Sequence, residues 1–120
     1  MRILGIAVAI LLVASNAGAF NEIHLKKLKM LNACENCDLR GANLVGVNLS
    51  GANLYKANLL GANLYKANLS GAKLRGANFS GADLSIAVLW NANTKGAIFC
   101  KTKTPWGVDN SGCKKASAHY

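Results

Sequence analysis

CDLRG ANLVG VNLSG ANLYK ANLLG ANLYK ANLSG AKLRG ANFSG ADLSI AVLWN ANTKG AIFCK: residues 37–101 are thirteen consecutive five-residue blocks without an insertion. The third residue is Leu in ten blocks, Phe79 and Phe99 in two more, and Thr94 in one. The first residue is Ala in eleven, with Cys37 and Val47 as the exceptions. Five residues advance an α-helix by about 500°, so successive leucines would drift by about 140° and wrap every face. A flat strand fails as well. Ala and Leu within a block share a face, but the next Ala lies three residues on and would point the other way. One arrangement keeps all of them inside: three residues run in, out, in, two outward residues turn a corner, and the chain coils. Gly closes eight blocks, as at Gly61 and Gly71, where a corner uses positive φ. Asn is the middle residue in eight, a type that bonds its side chain to nearby backbone.

These blocks resemble the pentapeptide-repeat family, whose motif is A-(D/N)-L-x-x. The resemblance implies an all-β fold: a right-handed, four-sided (quadrilateral) β-helix solenoid with twenty residues per turn. Thirteen blocks then make three and a quarter turns, a rod of about 15 Å at ~4.8 Å per stacked strand. Residues twenty apart stack. Leu39, Leu59, Phe79 and Phe99 form one interior ladder, Leu44, Leu64 and Leu84 a second, Leu49, Leu69 and Leu89 a third, and Leu54, Leu74 and Thr94 the last. Every fifth residue from Leu39 to Phe99, Thr94 included, is expected to be hidden in the axis.

Working outward, Asn21 is placed to cap a helix over residues 22–31, with Leu25, Leu28 and Leu31 on one face. This helix would cover an otherwise unpaired coil edge. A membrane-surface helix is the alternative for the same segment. Further back, Met1-Arg2, an apolar run from Ile3 to Val13, and Ala17-Gly18-Ala19 have the layout of a secretory signal peptide ending at Ala19. The run is too short to span ~30 Å of hydrocarbon, so no transmembrane segment is expected after cleavage. The expected organisation is therefore a signal peptide (1–19), a helix and Cys-x-x-Cys lead-in (20–36), the coil (37–101), and a C-terminal cap loop and tail (102–120). The expected location is secreted or periplasmic.

Four cysteines in a small exported chain suggest two disulfides. In the four-sided coil that the resemblance implies, Cys37 and Cys100 lie about three turns, or ~14 Å, apart, and disulfide partners need Cα atoms within about 7 Å. The expected bonds are Cys34–Cys37 and Cys100–Cys113. This layout looks like a secreted subgroup of the family. A redox role for Cys-x-x-Cys lacks the βαβ context it normally has, and a zinc site using Cys34, Cys37 and His24 lacks a fourth ligand.

The chain carries a formal charge of +9, or +8 once Arg2 leaves with the signal peptide. The surplus favours polyanions: nucleic acid, anionic lipid or acidic glycans, of which export leaves nucleic acid least available. Sorted by side, Lys56, Lys73, Arg75 and Lys95 share a face with Tyr55 beside them, the candidate binding face. Tyr65 and Lys66 lie on a side opposite Tyr55. Trp90 points outward on an uncharged side with Ser50 and Ser70, a candidate contact. No nucleophile–base pair, phosphate loop or metal cluster stands out. No catalysis, cofactor or metal is expected.

The function expected is a non-enzymatic scaffold or interaction protein, monomer or weak dimer, with an unknown protein or an anionic polymer as partner. Binding of anionic envelope polymers or lipids through the basic face is the alternative. The resemblance also admits inhibition of DNA gyrase, which some relatives achieve by mimicking duplex DNA, but that mimicry uses an acidic surface.

Overall fold

The computed structural model describes residues 20–114; the expected signal peptide (1–19) and the end of the tail, including His119, lie outside the described residues. Helix α1 (Glu22–Leu31) comes first, a coil of short extended segments follows, and a hairpin of β1 (Thr102–Thr104) and β2 (Gly107–Asp109) lies near the end.

Parallel bridges join residues twenty apart: Ala33 to Asn53, Asp38 to Asn58, and so on at five-residue steps to Asp83 and Lys103. One circuit therefore takes four blocks. Each bridge is double. Between Asn58 and Asn78, the Leu59 N–H donates to the Asn78 carbonyl (2.8 Å) and the Asn78 N–H to the Ala57 carbonyl (2.9 Å). At the corner the Ala62 N–H closes onto the Leu59 carbonyl (2.9 Å) around Gly61, whose φ is +68°. A turn with positive φ at its third residue is the type II requirement and explains the recurrent Gly. Asn32 and every fifth residue from Asn36 to Lys101 share this left-handed backbone. The repeated Asn acts as the sequence suggested: Asn58 Oδ1 accepts the Leu60 N–H (3.1 Å), and Asn63, Asn68 and Asn78 repeat the bond two residues on.

The coil starts one block earlier than residue 37. Cys34 takes a leucine position and Asn36 the corner, so Asn32–Asn36 is a block. It also runs on to Lys103 instead of stopping at 101.

Ten of the twelve repeat Leu and Phe side chains are fully buried, from Leu39 to Leu84, with alanines between them. Phe79 and Phe99 stack with ring centroids 5.5 Å apart. The expectation of a hidden interior fails in the last turn, where Leu89 and Phe99 are half-buried and Thr94 is exposed. No further complete turn covers these residues. Thr102 occupies an alanine position and stays satisfied, its hydroxyl donating to the Phe79 carbonyl at 2.7 Å.

Asn21 caps α1 by accepting the Ile23 and His24 N–H groups. Leu28 is buried and Leu25 half-buried, but Leu31 is 65% exposed, against the expectation of a shared face. Each three-residue step slips by about 60° on a helix, so Leu31 has turned away from Leu25. The helix is tied down by His24, whose Nδ1 accepts the Asp38 N–H at 2.9 Å.

The disulfides are Cys34–Cys37 and Cys100–Cys113, with Cα separations of 5.4 and 4.7 Å. Cys34 and Cys37 are buried at interior positions, so their bridge replaces a Leu and an Ala of the core. Bonded to each other, they offer no thiolate pair to zinc. Cys113 fastens the final loop, which returns to the coil end through the Gly112 N–H and the Phe99 carbonyl (2.8 Å).

Candidate functional site

Stacking at twenty-residue intervals assembles a face from distant parts of the chain. Tyr55, Arg75 and Lys95 share one column, as their neighbours' bonds require: the Lys56 N–H donates to the Arg75 carbonyl and the Gly76 N–H to the Lys95 carbonyl. Asn53, Lys73 and Asn93 form the column beside it. The early start of the coil adds a fourth member to the first column, because the Asn36 N–H donates to the Tyr55 carbonyl and sets Glu35 next to Tyr55.

A shallow, solvent-open groove of about 340 Å³ lies across these columns, lined by Glu35, Asn53, Tyr55, Lys73, Arg75 and Asn93. Tyr55 is half-buried, and its backbone N–H is held by Asn53 Oδ1 at 3.2 Å. Asn93 Oδ1 is likewise occupied by the Lys95 N–H at 3.1 Å. Both amides therefore keep their N–H₂ groups as their unused donors. The Lys73 and Arg75 side chains make no ion pair with a described carboxylate.

The structure thus brings Tyr55, Lys73 and Arg75 together and leaves the other two expected members at the margin. Lys56 sits at the corner with φ +54°, its side chain passing over Gly76 and its Nζ 5.3 Å from the centre of the Tyr55 ring. Lys95 follows one rung beyond Arg75. Tyr65 and Lys66 form a similar cation–ring pair on their own side. Trp90 is 77% exposed and away from the groove, and Trp106 in the β1–β2 turn is as open.

Sequence reasoning missed Glu35, Asn53 and Asn93. The two asparagines had been absorbed into the repeat, and Glu35 into a lead-in. Carrying the five-residue phase back from Cys37 through Asn32-Ala33-Cys34-Glu35-Asn36 was the signal that could have found Glu35.

Two stretches, residues 34–71 and 62–99, match the family model described as pentapeptide repeats, in eight copies. The chain belongs to the pentapeptide-repeat family. No curated protein matches it. Solved structures to which it is similar are also pentapeptide-repeat proteins. One is from the thylakoid lumen of Arabidopsis thaliana: 37% identity over 54% of this chain and 52% of that one, TM-score 0.34. Another is Rfr23 of the cyanobacterium Cyanothece: 27% identity over 62% of this chain and 92% of that one, TM-score 0.36. A third is HetL of Nostoc, involved in heterocyst differentiation regulation: 33% identity over 62% of this chain and 41% of that one, TM-score 0.31. The match therefore spans about half of the Arabidopsis protein and less of HetL. At these TM-scores the similarity carries no further argument. The pentapeptide-repeat coil is the scaffold on which the groove is built.

Proposed function

We propose that this chain is a non-enzymatic interaction rod of an extracytoplasmic compartment, and that it meets an anionic polymer or surface through the face carrying Tyr55, Lys73 and Arg75. The observation that carries this reading is the groove itself. Two cations that have no carboxylate partner among the described residues flank an aromatic ring in a concavity at the small end of the ~300–1,000 Å³ common for ligand sites. A formal charge of +9 supports the sign of the partner. Two disulfides support an oxidising compartment, with export through residues 1–19 as part of the proposal. The proposal takes the rod as a right-handed, four-sided coil, and the constant offset of twenty residues supports four blocks per turn. Gyrase inhibition by duplex mimicry has the wrong charge for this surface.

The test uses the oxidised full chain and the double variant Lys73→Glu/Arg75→Glu, applied to a carboxylated polysaccharide, to polyphosphate and to phosphatidylglycerol vesicles. The expected result is capture of the native chain on at least one of them, weakened by added salt and reduced at least tenfold by the double variant. Equal capture of both proteins, or none of the native chain, would contradict the proposal.

A further inference from the structure

Resting on the reading of this face as a polyanion site, we infer that the groove takes an acidic sugar unit of a polysaccharide, a pyranose ring bearing a carboxylate, in preference to a bare polyphosphate or a lipid headgroup. The reason lies in what the groove holds besides positive charge.

A site for dense negative charge needs only cations and backbone donors. This one includes the Glu35 carboxylate in the same column as Tyr55 and Arg75. Glu35 would repel a phosphate placed over Tyr55, whereas it accepts a hydrogen bond from a hydroxyl. Asn53 and Asn93 offer the opposite half of the pairing, because their Oδ1 atoms are taken by backbone and their amide hydrogens remain to donate. A group that both donates to Glu35 and accepts from asparagine is a hydroxyl, and a sugar presents several. Tyr55 supplies a flat apolar surface, half-buried and held at its backbone, against which the C–H face of a pyranose packs. The Arg75 guanidinium matches a carboxylate in a planar, two-bond geometry that a lysine cannot offer, and Lys73 adds charge beside it.

Spacing points the same way. Glu35, Tyr55, Arg75 and Lys95 follow one another at twenty-residue intervals, hence at ~4.8 Å along the rod. That rise is comparable to the length of one pyranose in an extended chain. A polysaccharide lying parallel to the axis sets one ring over Tyr55 and carries its carboxylates past Arg75 and then Lys95.

Titrations of the oxidised full chain separate the alternatives. The probes are oligomannuronate (a β-1,4-linked acidic pyranose chain), the neutral β-1,4-mannan oligomer of equal length, inorganic polyphosphate, and phosphatidylglycerol vesicles. Oligomannuronate is expected to bind at least tenfold more tightly than the neutral oligomer. Tyr55→Ala is expected to weaken it about tenfold while Tyr55→Phe retains it, with thermal melting confirming that both fold. Glu35→Lys is expected to weaken oligomannuronate and strengthen polyphosphate. If polyphosphate or the vesicles bind as tightly as oligomannuronate and Tyr55→Ala changes nothing, the sugar inference is overturned and the polyanion reading stands. If no anionic probe binds, or if Lys73→Glu/Arg75→Glu binds all of them as the native chain does, the polyanion reading falls and the sugar inference with it.

Discussion

Ile86 occupies a left-handed corner at φ +59° with its side chain 60% exposed, a conformation that β-branched residues tolerate least. Its equivalents twenty residues back and forty back are Lys66 and Gly46, at φ +61° and +66°, so the backbone geometry belongs to the fold and not to the residue. A non-glycine side chain there costs about 1–2 kcal/mol, and glycine gives back part of that through its freer unfolded chain. Ile86→Gly is therefore expected to stabilise the protein by about 1 kcal/mol, raising Tm by several degrees. Thermal unfolding followed by circular dichroism checks it, and an unchanged or lower Tm would contradict it. The corner was legible in the sequence because glycine recurs there. So was the local bonding of asparagine, since its short side chain reaches the N–H two residues on wherever the coil places it.

The junction of α1 with the coil was less legible. The cap at Asn21 and the helix bounds follow from local chemistry, but the burial of Leu28 over Leu31 depends on how the helix lies across the coil end, which no local pattern states. Here Asp38 has several roles. Its N–H binds His24 Nδ1 of the helix, its carboxylate pairs with Arg40 at 2.7 Å, and its backbone bridges Asn58. The hydrogen bond from Arg40 holds the Asp38 carboxyl below its ordinary range, against the opposing effect of burial. Hydrogen bonds from Ser85 to Asp83 and from Ser111 to Asp109 act in the same direction. A carboxyl with a lowered folded pKa stabilises the fold above its unfolded value, near 4, and that stability is lost as pH falls through the folded value. The contribution of these three carboxyls is expected to be full above about pH 5 and to decline below about pH 4. Asp38→Asn is expected to be slightly less stable at neutral pH and to decline less steeply in acid, because exposed pairs contribute little. Urea unfolding between pH 2.5 and 7 measures both. An acid decline equally steep in the variant would remove Asp38 from the explanation.

Across the whole molecule, period five and the resemblance together supplied the coil, the interior ladders and the pairing of all four cysteines. What stayed out of reach was where the coil begins and how well its last turn is covered. Cys34 hid the first block because a cysteine stands where leucine is expected, and its disulfide to Cys37 fills that part of the core. The groove depended on that missed block for Glu35. It is a property of no local stretch: Tyr55 meets Lys73 and Arg75 only because four blocks complete a circuit. The blocks themselves are nearly interchangeable inside, twelve of the thirteen from 37 to 101 bringing one small and one large apolar residue.

That interchangeability allows the central claim, a binding face built from residues twenty apart, to be tested by removing one block. Deleting residues 57–61, Ala-Asn-Leu-Leu-Gly, keeps Ala and Leu inward and leaves both disulfides in place, but it carries Lys73 and Arg75 one side away from Tyr55. The measurement is the affinity of the intact and the shortened, oxidised chains for oligomannuronate, the proposed class of partner, with unfolding recorded alongside. The account predicts a cooperatively folded coil whose affinity has dropped at least tenfold. Full affinity in a folded deletion variant, or a chain that no longer folds, would contradict it.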